Sequence, residues 1–398
     1  MLFMDKKGVP LLDLQAQYAA IRSEIEAAVG EVLASQKFIL GPAVSALEKE
    51  IAQFCGTKYA VAVASGTDAL LISLKALGVK AGDAGVTVPF TFFATAGVIV
   101  NLGARPVFVD IDEASFNMDP NALSHFLSNE CSLDSSCFEV THKASKSIVK
   151  AIVPVHLYGQ CADMDGIRQM ARRYHLPVVE DACQAIGAEY GGTRAGALGD
   201  VGCFSFFPTK NLGGAGDGGM ITTSSAELAA RIRLLRTHGA EKRYFHSIVG
   251  FNSRLDEIQA AILRVKLRHL EDWNRQRIRN AAHYEQEFTA AGLLPYLALP
   301  YPGPGRSHIY HQYVIRCKKR DQLQEYLRSR EIGCEIYYPL PLHEQKCFEY
   351  LHYGAFDFPH SKNAAAEVLA LPIYPELTEG QIACVTGSIA DFYRQNPQ

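Results

Sequence analysis

Residues 204–219 read FSFFPTKNLGGAGDGG, and residues 220–224 continue as MITTS. Gly214, Gly216 and Gly219 fit G-x-G-x-x-G, the pattern that holds a dinucleotide pyrophosphate where a strand turns into a helix. Such a site needs a helix N-terminus after the last glycine, because its free N–H groups bind the phosphate. Here the β-branched MITTS reads as a strand, and the helical pattern starts only near Ala226. The stretch is therefore not a dinucleotide site. It is not a P-loop either, since the P-loop lysine follows its glycines and Lys210 precedes them. What remains is a lysine between a strand end and a glycine run whose backbone can turn tightly beside a bound group and re-enter the sheet.

Outward from this point the chain alternates β-rich runs with helical ones. Strands are expected at Ala60–Val63, Val86–Val88, Pro106–Asp110, Ala151–Val155, Pro177–Glu180 and Val201–Phe206. Helices are expected at Thr67–Leu77, Phe92–Leu102 and Asp163–Tyr174, the last with Ile167, Met170 and Ala171 as its apolar face. This alternation predicts an α/β fold, a mostly parallel sheet covered on both sides. Before it, Ile21, Ile25, Val29 and Leu33 recur at helical spacing. After it, a long helix from Leu255 to about Ala290 leads to a smaller α+β unit, with strands at Tyr313–Cys317 and Cys334–Tyr338 and helices at Gln322–Ser329 and Lys362–Ala370. The expected division is a large domain over residues 1–255 and a bridging helix with a small C-terminal domain over 256–398. Residues 128–146, polar and poorly periodic, read as a surface insertion.

The 398 residues suffice for two cores, and 48% hydrophobic with 20% charged residues is ordinary globular composition. A net charge of −3 favours neither nucleic acid nor a membrane surface as partner. Apolar runs are too short to span a bilayer, and MLFMDKKGVPLLDL lacks the apolar core of a secretory signal, so a cytoplasmic location is expected. The ten cysteines form no C-x-x-C pair and read as buried thiols; the thirteen histidines, His308 and His311 included, lack metal-ligand spacing.

A partly desolvated amine at the ligand-binding edge of a sheet loses its proton readily and forms a Schiff base with a carbonyl. Pyridoxal phosphate uses that chemistry and makes further demands: a carboxylate for the ring nitrogen, donors for the phosphate and a flat apolar group over the ring. Asp181 ends the strand PVVEDA; its plain alternative is an N-cap for ACQAIGA. Gln184 follows, within reach of the ring oxygen. Ser65-Gly66-Thr67, between a strand and a helix, offers phosphate donors or simply a cap. Phe92 is placed for the ring or for the core, and Ser205 for the phosphate.

FILGPAV (38–44), VASGTDAL (63–70), VPFTFFATA (88–96), GARPVFVDID (103–112), VPVHLYGQCADMD (153–165), VEDACQAIGA (179–188), GDVGCFSFFPTKNLGGAGDGG (199–219) and GFNSRLDEIQAAIL (250–263) together resemble the DegT/DnrJ/EryC1/StrS family of pyridoxal-phosphate-dependent nucleotide-sugar aminotransferases. The likeness runs from Pro10 nearly to the C-terminus. It implies the aspartate aminotransferase (fold type I) architecture, with a seven-stranded sheet, and a homodimer with active sites at the interface. By position it implies Lys210 as the Schiff-base lysine, Asp181 as the ring-nitrogen partner, Gln184 near the ring hydroxyl and Phe92 over the ring. Gly66, Thr67 and Ser205 match phosphate ligands, and Asn252 matches an asparagine reaching the phosphate from the neighbouring subunit. Arg254 and Tyr338 stand where nucleotide-sugar contacts occur. The activity implied is amino transfer from glutamate to a keto sugar nucleotide, and HLYGQCADMD (156–165) resembles members acting at C3, with C4 as the alternative. Phe90 and Tyr337 depart from the family pattern on the sugar side. Two rival classes are a non-catalytic cofactor-binding regulatory protein and a nicotinamide oxidoreductase; the strand after Gly219 disfavours the second.

Overall fold

The structure, a computed structural model, describes residues 8–354 and 356–396. Residues 1–7, on which part of the N-terminal reading rests, lie outside the described residues. In chain order the regular elements are α1 (Leu14–Ser35), α2 (Pro42–Cys55), β1 (Tyr59–Val63), α3 (Gly66–Ala76), β2 (Asp83–Thr87), α4 (Ala94–Asn101), β3 (Arg105–Phe108), α5 (Pro120–His125), β4 (Cys131–Asp134) and β5 (Glu139–His142). Then follow β6 (Ile148–Ile152), α6 (Met164–Tyr174), β7 (Val179–Asp181), β8 (Glu189–Tyr190), β9 (Thr193–Arg194), β10 (Val201–Ser205), β11 (Gly219–Thr223) and α7 (Ala226–Arg236). The chain continues through β12 (Ala240–Lys242), β13 (Phe245–His246), α8 (Glu257–Ala290), β14 (Tyr313–Arg316), α9 (Arg320–Ser329), α10 (Pro359–Glu367), β15 (Val368–Leu371) and α11 (Glu379–Gln395).

β1 and β10 both pair antiparallel with β11, and β10 pairs parallel with β7. β2 pairs parallel with β3 and β6. Parallel bridges Ile152↔Val178 and Val155↔Asp181 join β6 to β7. The resulting order is β1-β11-β10-β7-β6-β2-β3, a seven-stranded sheet in which β11 alone runs against the rest. Its strands are almost wholly buried, as expected when helices cover both faces. The crossover α6 shows how sequence sets position: Asp163 caps its N-terminus at Gly166, and Ile167, Met170, Ala171 and Tyr174 face inward. His175 then stops the helix in the left-handed region.

α8 crosses between two cores. Ala260, Leu263 and Leu270 pack in the sheet's core, whereas Ala281, Tyr284 and Phe288 pack with β14, β15 and α11. At its start Glu257 accepts hydrogen bonds from Ala43 N (2.7 Å) and Val44 N (3.0 Å), placing a carboxylate on the N-terminus of α2.

Three expectations need correction. Cys334–Tyr338 forms no strand beyond one bridge, Glu335↔Ala370. The helix expected through Ala370 ends at Glu367, and the apolar VLAL that follows is β15, paired with β14; a four-residue apolar run has no period with which to tell strand from helix. Residues 182–188 form turns, so Asp181 caps no helix. Within 128–146, β4 and β5 form a hairpin that lengthens the sheet beside β6.

Among the described residues all ten cysteines are free, but Cys137, Cys347 and Cys384 are exposed and Cys183 half-buried, so the expectation of buried thiols holds for six of them; no cluster could hold a metal ion. No described helix is long and apolar enough to cross a membrane.

Candidate active site

A cavity of about 470 Å³ opens at the C-terminal ends of β1, β7 and β10, the edge at which open α/β sheets bind ligands. Gly66, Thr67, Phe92, Asp181, Gln184, Ser205, Lys210 and Tyr338 all line it. A wider groove of about 580 Å³ past Arg168, Arg172 and His175 lies at the opposite ends of β7 and β10 and holds none of the expected residues.

Lys210 is carried on a tight turn after β10: its N–H bonds Phe207 O (2.8 Å), and Gly214 N bonds Phe206 O (2.8 Å). Gly213 is required there, since a Cβ would stand 2.2 Å from Pro208 O. The half-buried amine makes no hydrogen bond or ion pair among the described residues. Burial pushes its pKa below the ordinary lysine value, against an opposing pull from Cys183 and Asp181. An amine so placed supplies a free base far more readily than a surface lysine.

Asp181 is buried, with Oδ2 accepting from Thr95 Oγ1 (2.7 Å) and Oδ1 from Cys183 N (3.3 Å). Glu180 and Asp181 point to opposite faces of the sheet, so one strand end serves both structure and cavity. Glu180 accepts from the N–H groups of Gly196, Leu198 and Gly199 and from His156 Nε2. Gln184 is held from both ends: its Oε1 accepts from Tyr158 N (2.8 Å) and its Nε2 donates to Tyr338 (3.1 Å).

Ser65 caps α3 by accepting from Asp68 N (3.0 Å) and also lines the cavity, so cap and donor coincide. Across from it lies Ser205; a Cβ on Gly66 would come 2.6 Å from Ser205 Cβ, so only glycine leaves this cradle open. Phe92 stands just before α4, 56% exposed, its ring 6.2 Å from that of Tyr338. It is not a core aromatic.

Asn252 and Arg254 do not line this cavity. Asn252 is exposed and bridged to Thr237; Arg254 is half-buried with an unpartnered Nε. Sequence reasoning missed Thr95, Cys183, Asp217, Gln312 and Tyr158, and it discarded His311 with the non-metal histidines. The signal for Thr95 was available, because a residue three after Phe92 at a helix start comes back over the same turn. His311 and Gln312 come from the loop before β14, which no motif ties to the sheet.

The site suits pyridoxal phosphate: a free amine, a buried carboxylate and a glycine-opened cradle at a helix start share one cavity. Residues 19–390 match the model of the DegT/DnrJ/EryC1/StrS aminotransferase family. The chain belongs to this family. The aminotransferase is 47% identical over 388 residues to a pleiotropic regulatory protein of Geobacillus stearothermophilus, covering 97% of this chain and 99% of that one. It is 42% identical over 376 residues to a UDP-N-acetyl-3-dehydro-alpha-D-glucosamine 3-aminotransferase of Acidithiobacillus ferrooxidans, covering 94% and 95%. Among solved structures it is similar to S. venezuelae DesV in complex with a ketimine intermediate, at a TM-score of 0.89 and 38% identity, over 97% of this chain and 98% of that one. The family is pyridoxal-phosphate-dependent, and its fold is the type I fold expected from the sequence.

Proposed function

We propose that this aminotransferase moves the amino group of glutamate to C3 of a nucleotide-linked keto sugar. The observation that carries the reading is the free Lys210 amine sharing a cavity with buried Asp181 and the Gly66 cradle. The relative named as a 3-aminotransferase supports C3 over C4.

Pyridoxal phosphate, when bound, supplies an aldehyde carbon that takes up the amino group and a ring that draws electrons from the carbon losing its proton. Lys210 would hold that aldehyde carbon, and its released amine moves a proton at Nζ. Asp181 would face the ring nitrogen and hold a proton there. Gly66, Thr67 and Ser205 would hold the phosphate, Phe92 would cover the ring, and Gln184, fixed by Tyr158 and Tyr338, would take the ring hydroxyl. Asn252, outside its own cavity, is assigned to the site of a second copy in a homodimer, with Arg254 and Tyr338 facing the sugar nucleotide. In this scheme residues 1–255 carry the cofactor, and 256–398 close the substrate side with His311, Gln312, Tyr337 and Tyr338. The cytoplasm, where nucleotide sugars and glutamate meet, is the proposed location.

The test supplies purified protein with glutamate and a panel of 3-keto and 4-keto sugar nucleotides and measures 2-oxoglutarate and amino sugar. Turnover is expected with a 3-keto substrate and is abolished in Lys210→Ala and lowered by orders of magnitude in Asp181→Ala, with circular dichroism unchanged. Near-normal turnover in either variant would refute the assigned roles. Cofactor binding without glutamate consumption would favour a regulatory protein, the word that names the Geobacillus relative.

A further inference from the structure

The carboxylate of Asp181 is held from two sides, and one of its holders is a side chain with no part in the scheme above. Thr95 is fully buried in the first turn of α4. Its Oγ1 lies 2.7 Å from Asp181 Oδ2, 3.2 Å from Phe92 O and 3.2 Å from Thr91 Oγ1. A threonine hydroxyl has one hydrogen to give. The short contact to a carboxylate oxygen takes it, since charge-assisted O–H···O⁻ bonds are shorter and stronger than bonds to a neutral carbonyl. Thr91 then donates to Thr95, and the three groups form one chain ending at Asp181.

The backbone just before α4, which Thr95 N and Oγ1 both bond at Phe92 O, carries the Phe92 ring that borders the cavity Asp181 floors. Thr95 thus ties the carboxylate at the end of β7 to the backbone that presents Phe92. Cys183 N supplies the second restraint, at Oδ1, and it is the longer one at 3.3 Å. Lys210, Cys183, Cys203 and Tyr338 are the other titratable groups around Asp181. Neither Lys210 nor Tyr338 makes a hydrogen bond to it among the described residues. Losing Thr95 would leave Asp181 held by Cys183 alone, through a long N–H bond and a weak thiol donor, with more freedom to turn about its own Cα–Cβ bond.

We infer that Thr95 is the positioning residue of the reaction: its hydroxyl fixes the orientation in which Asp181 meets the cofactor ring, in register with Phe92. The inference rests on the proposed role of Asp181. It predicts an effect on both half-reactions alike, because both need the same ring state, and little effect on substrate affinity, because Thr95 is sealed away from substrate.

The experiment compares Thr95→Val, which keeps shape and removes the hydroxyl, with Thr95→Ser, which keeps the hydroxyl. The readouts are the pyridoxal phosphate dissociation constant, from visible absorbance of the bound cofactor, and single-turnover rates with glutamate and with amino sugar nucleotide. Loss of a hydrogen bond to a charged group predicts a fall of about ten- to a hundredfold in both rates for Thr95→Val. KM should stay within about threefold, and serine should restore most of the rate. A double-mutant cycle with Asp181→Asn completes the test: Thr95→Val should add no further loss of rate or cofactor affinity once the carboxylate is gone. Undiminished rates in Thr95→Val, failed rescue by serine, or additive losses in the cycle each overturn the inference. Near-normal activity in Asp181→Asn alone would instead overturn the role of Asp181, so the two failures are distinguishable.

Discussion

Replacing Glu180 by alanine probes what holds the strand that carries Asp181. Glu180 is fully buried, and its carboxylate accepts Gly196 N at 2.7 Å, Leu198 N at 2.8 Å and Gly199 N at 2.7 Å. His156 Nε2 stands 2.9 Å away. The direction of that bond is fixed, because His156 Nδ1 accepts from Ala162 N (3.1 Å) and leaves Nε2 to carry the hydrogen. Alanine would strand four donors, three of them buried at about 1–3 kcal/mol each and the fourth, Gly199 N, partly open to water. Water entering the vacated space would satisfy some of them, so the expected net loss is about 4 kcal/mol, in the range for removing one partner of a buried charged network.

For 398 residues the unfolding entropy is about 0.8 kcal/mol/K, so 4 kcal/mol lowers Tm by roughly 5 °C. Function should follow, because His156 N also donates to Asp181 O (3.0 Å) and the freed loop at 195–199 flanks β10. The assay is differential scanning fluorimetry with a cofactor titration on the same samples. A fall in Tm below about 1 °C, with unchanged cofactor affinity, would refute the reasoning, since it would mean that the strand end needs no carboxylate beneath it.

Two further perturbations test the glycine cradle and the floor under the lysine. Gly66→Ala forces a Cβ to within 2.6 Å of Ser205 Cβ and 3.0 Å of Cys183 Sγ; overpacking of about 1–3 kcal/mol is expected, with a loss of at least about tenfold in pyridoxal phosphate affinity, read by absorbance titration. Lys266, buried and donating to Gly213 O at 2.7 Å, has its pKa pushed down by burial to about 8. Its folded value lies below its unfolded one, so the folded state disfavours the charged form, and the penalty is full below about pH 8 and vanishes as pH rises towards 10.5. Urea unfolding of wild type minus Lys266→Met should therefore gain about 2–3 kcal/mol between about pH 7.5 and 10; a flat difference would contradict the assigned burial.

The sheet was legible because its strands announce themselves: Ala60–Val63, Val201–Phe206 and the MITTS that opens β11 are apolar, β-branched and bounded by glycine or polar turns. The crossover α6 was legible for the complementary reason, a clean apolar face behind an aspartate cap. β15 was not, because VLAL continues the apolar positions of α10 with no breaker between them. Lys210 and Asp181 were legible because one sits on the turn after a strand and the other ends a strand, and both are charged beside apolar runs. His311 was not: it looks unremarkable in its own segment and acquires meaning only from Lys210, which the fold brings alongside. Thr95 had its helical spacing from Phe92, but its partner Asp181 comes only with the fold.

That division also says where substrate choice resides. The groups proposed for chemistry, Lys210, Asp181, Gly66 and Ser205, stand on or just after the ends of β1, β7 and β10, elements whose burial leaves little room to vary. The groups facing them, Gln312, Tyr337 and Tyr338, come from irregular segments. The two departures from the family pattern differ in the same way. Phe90 is fully buried, packed on Phe116 and Tyr338 and absent from the cavity wall, so it acts on substrate only through the tyrosine ring it supports. Tyr337 lines the cavity, and its carbonyl accepts from the Tyr158 hydroxyl, which ties it to the segment 156–165 that resembles C3-acting members. Tyr337→His should therefore shift the preference among keto sugar nucleotides while leaving the half-reaction with glutamate within about threefold. An equal loss with every substrate would place Tyr337 with the chemistry instead.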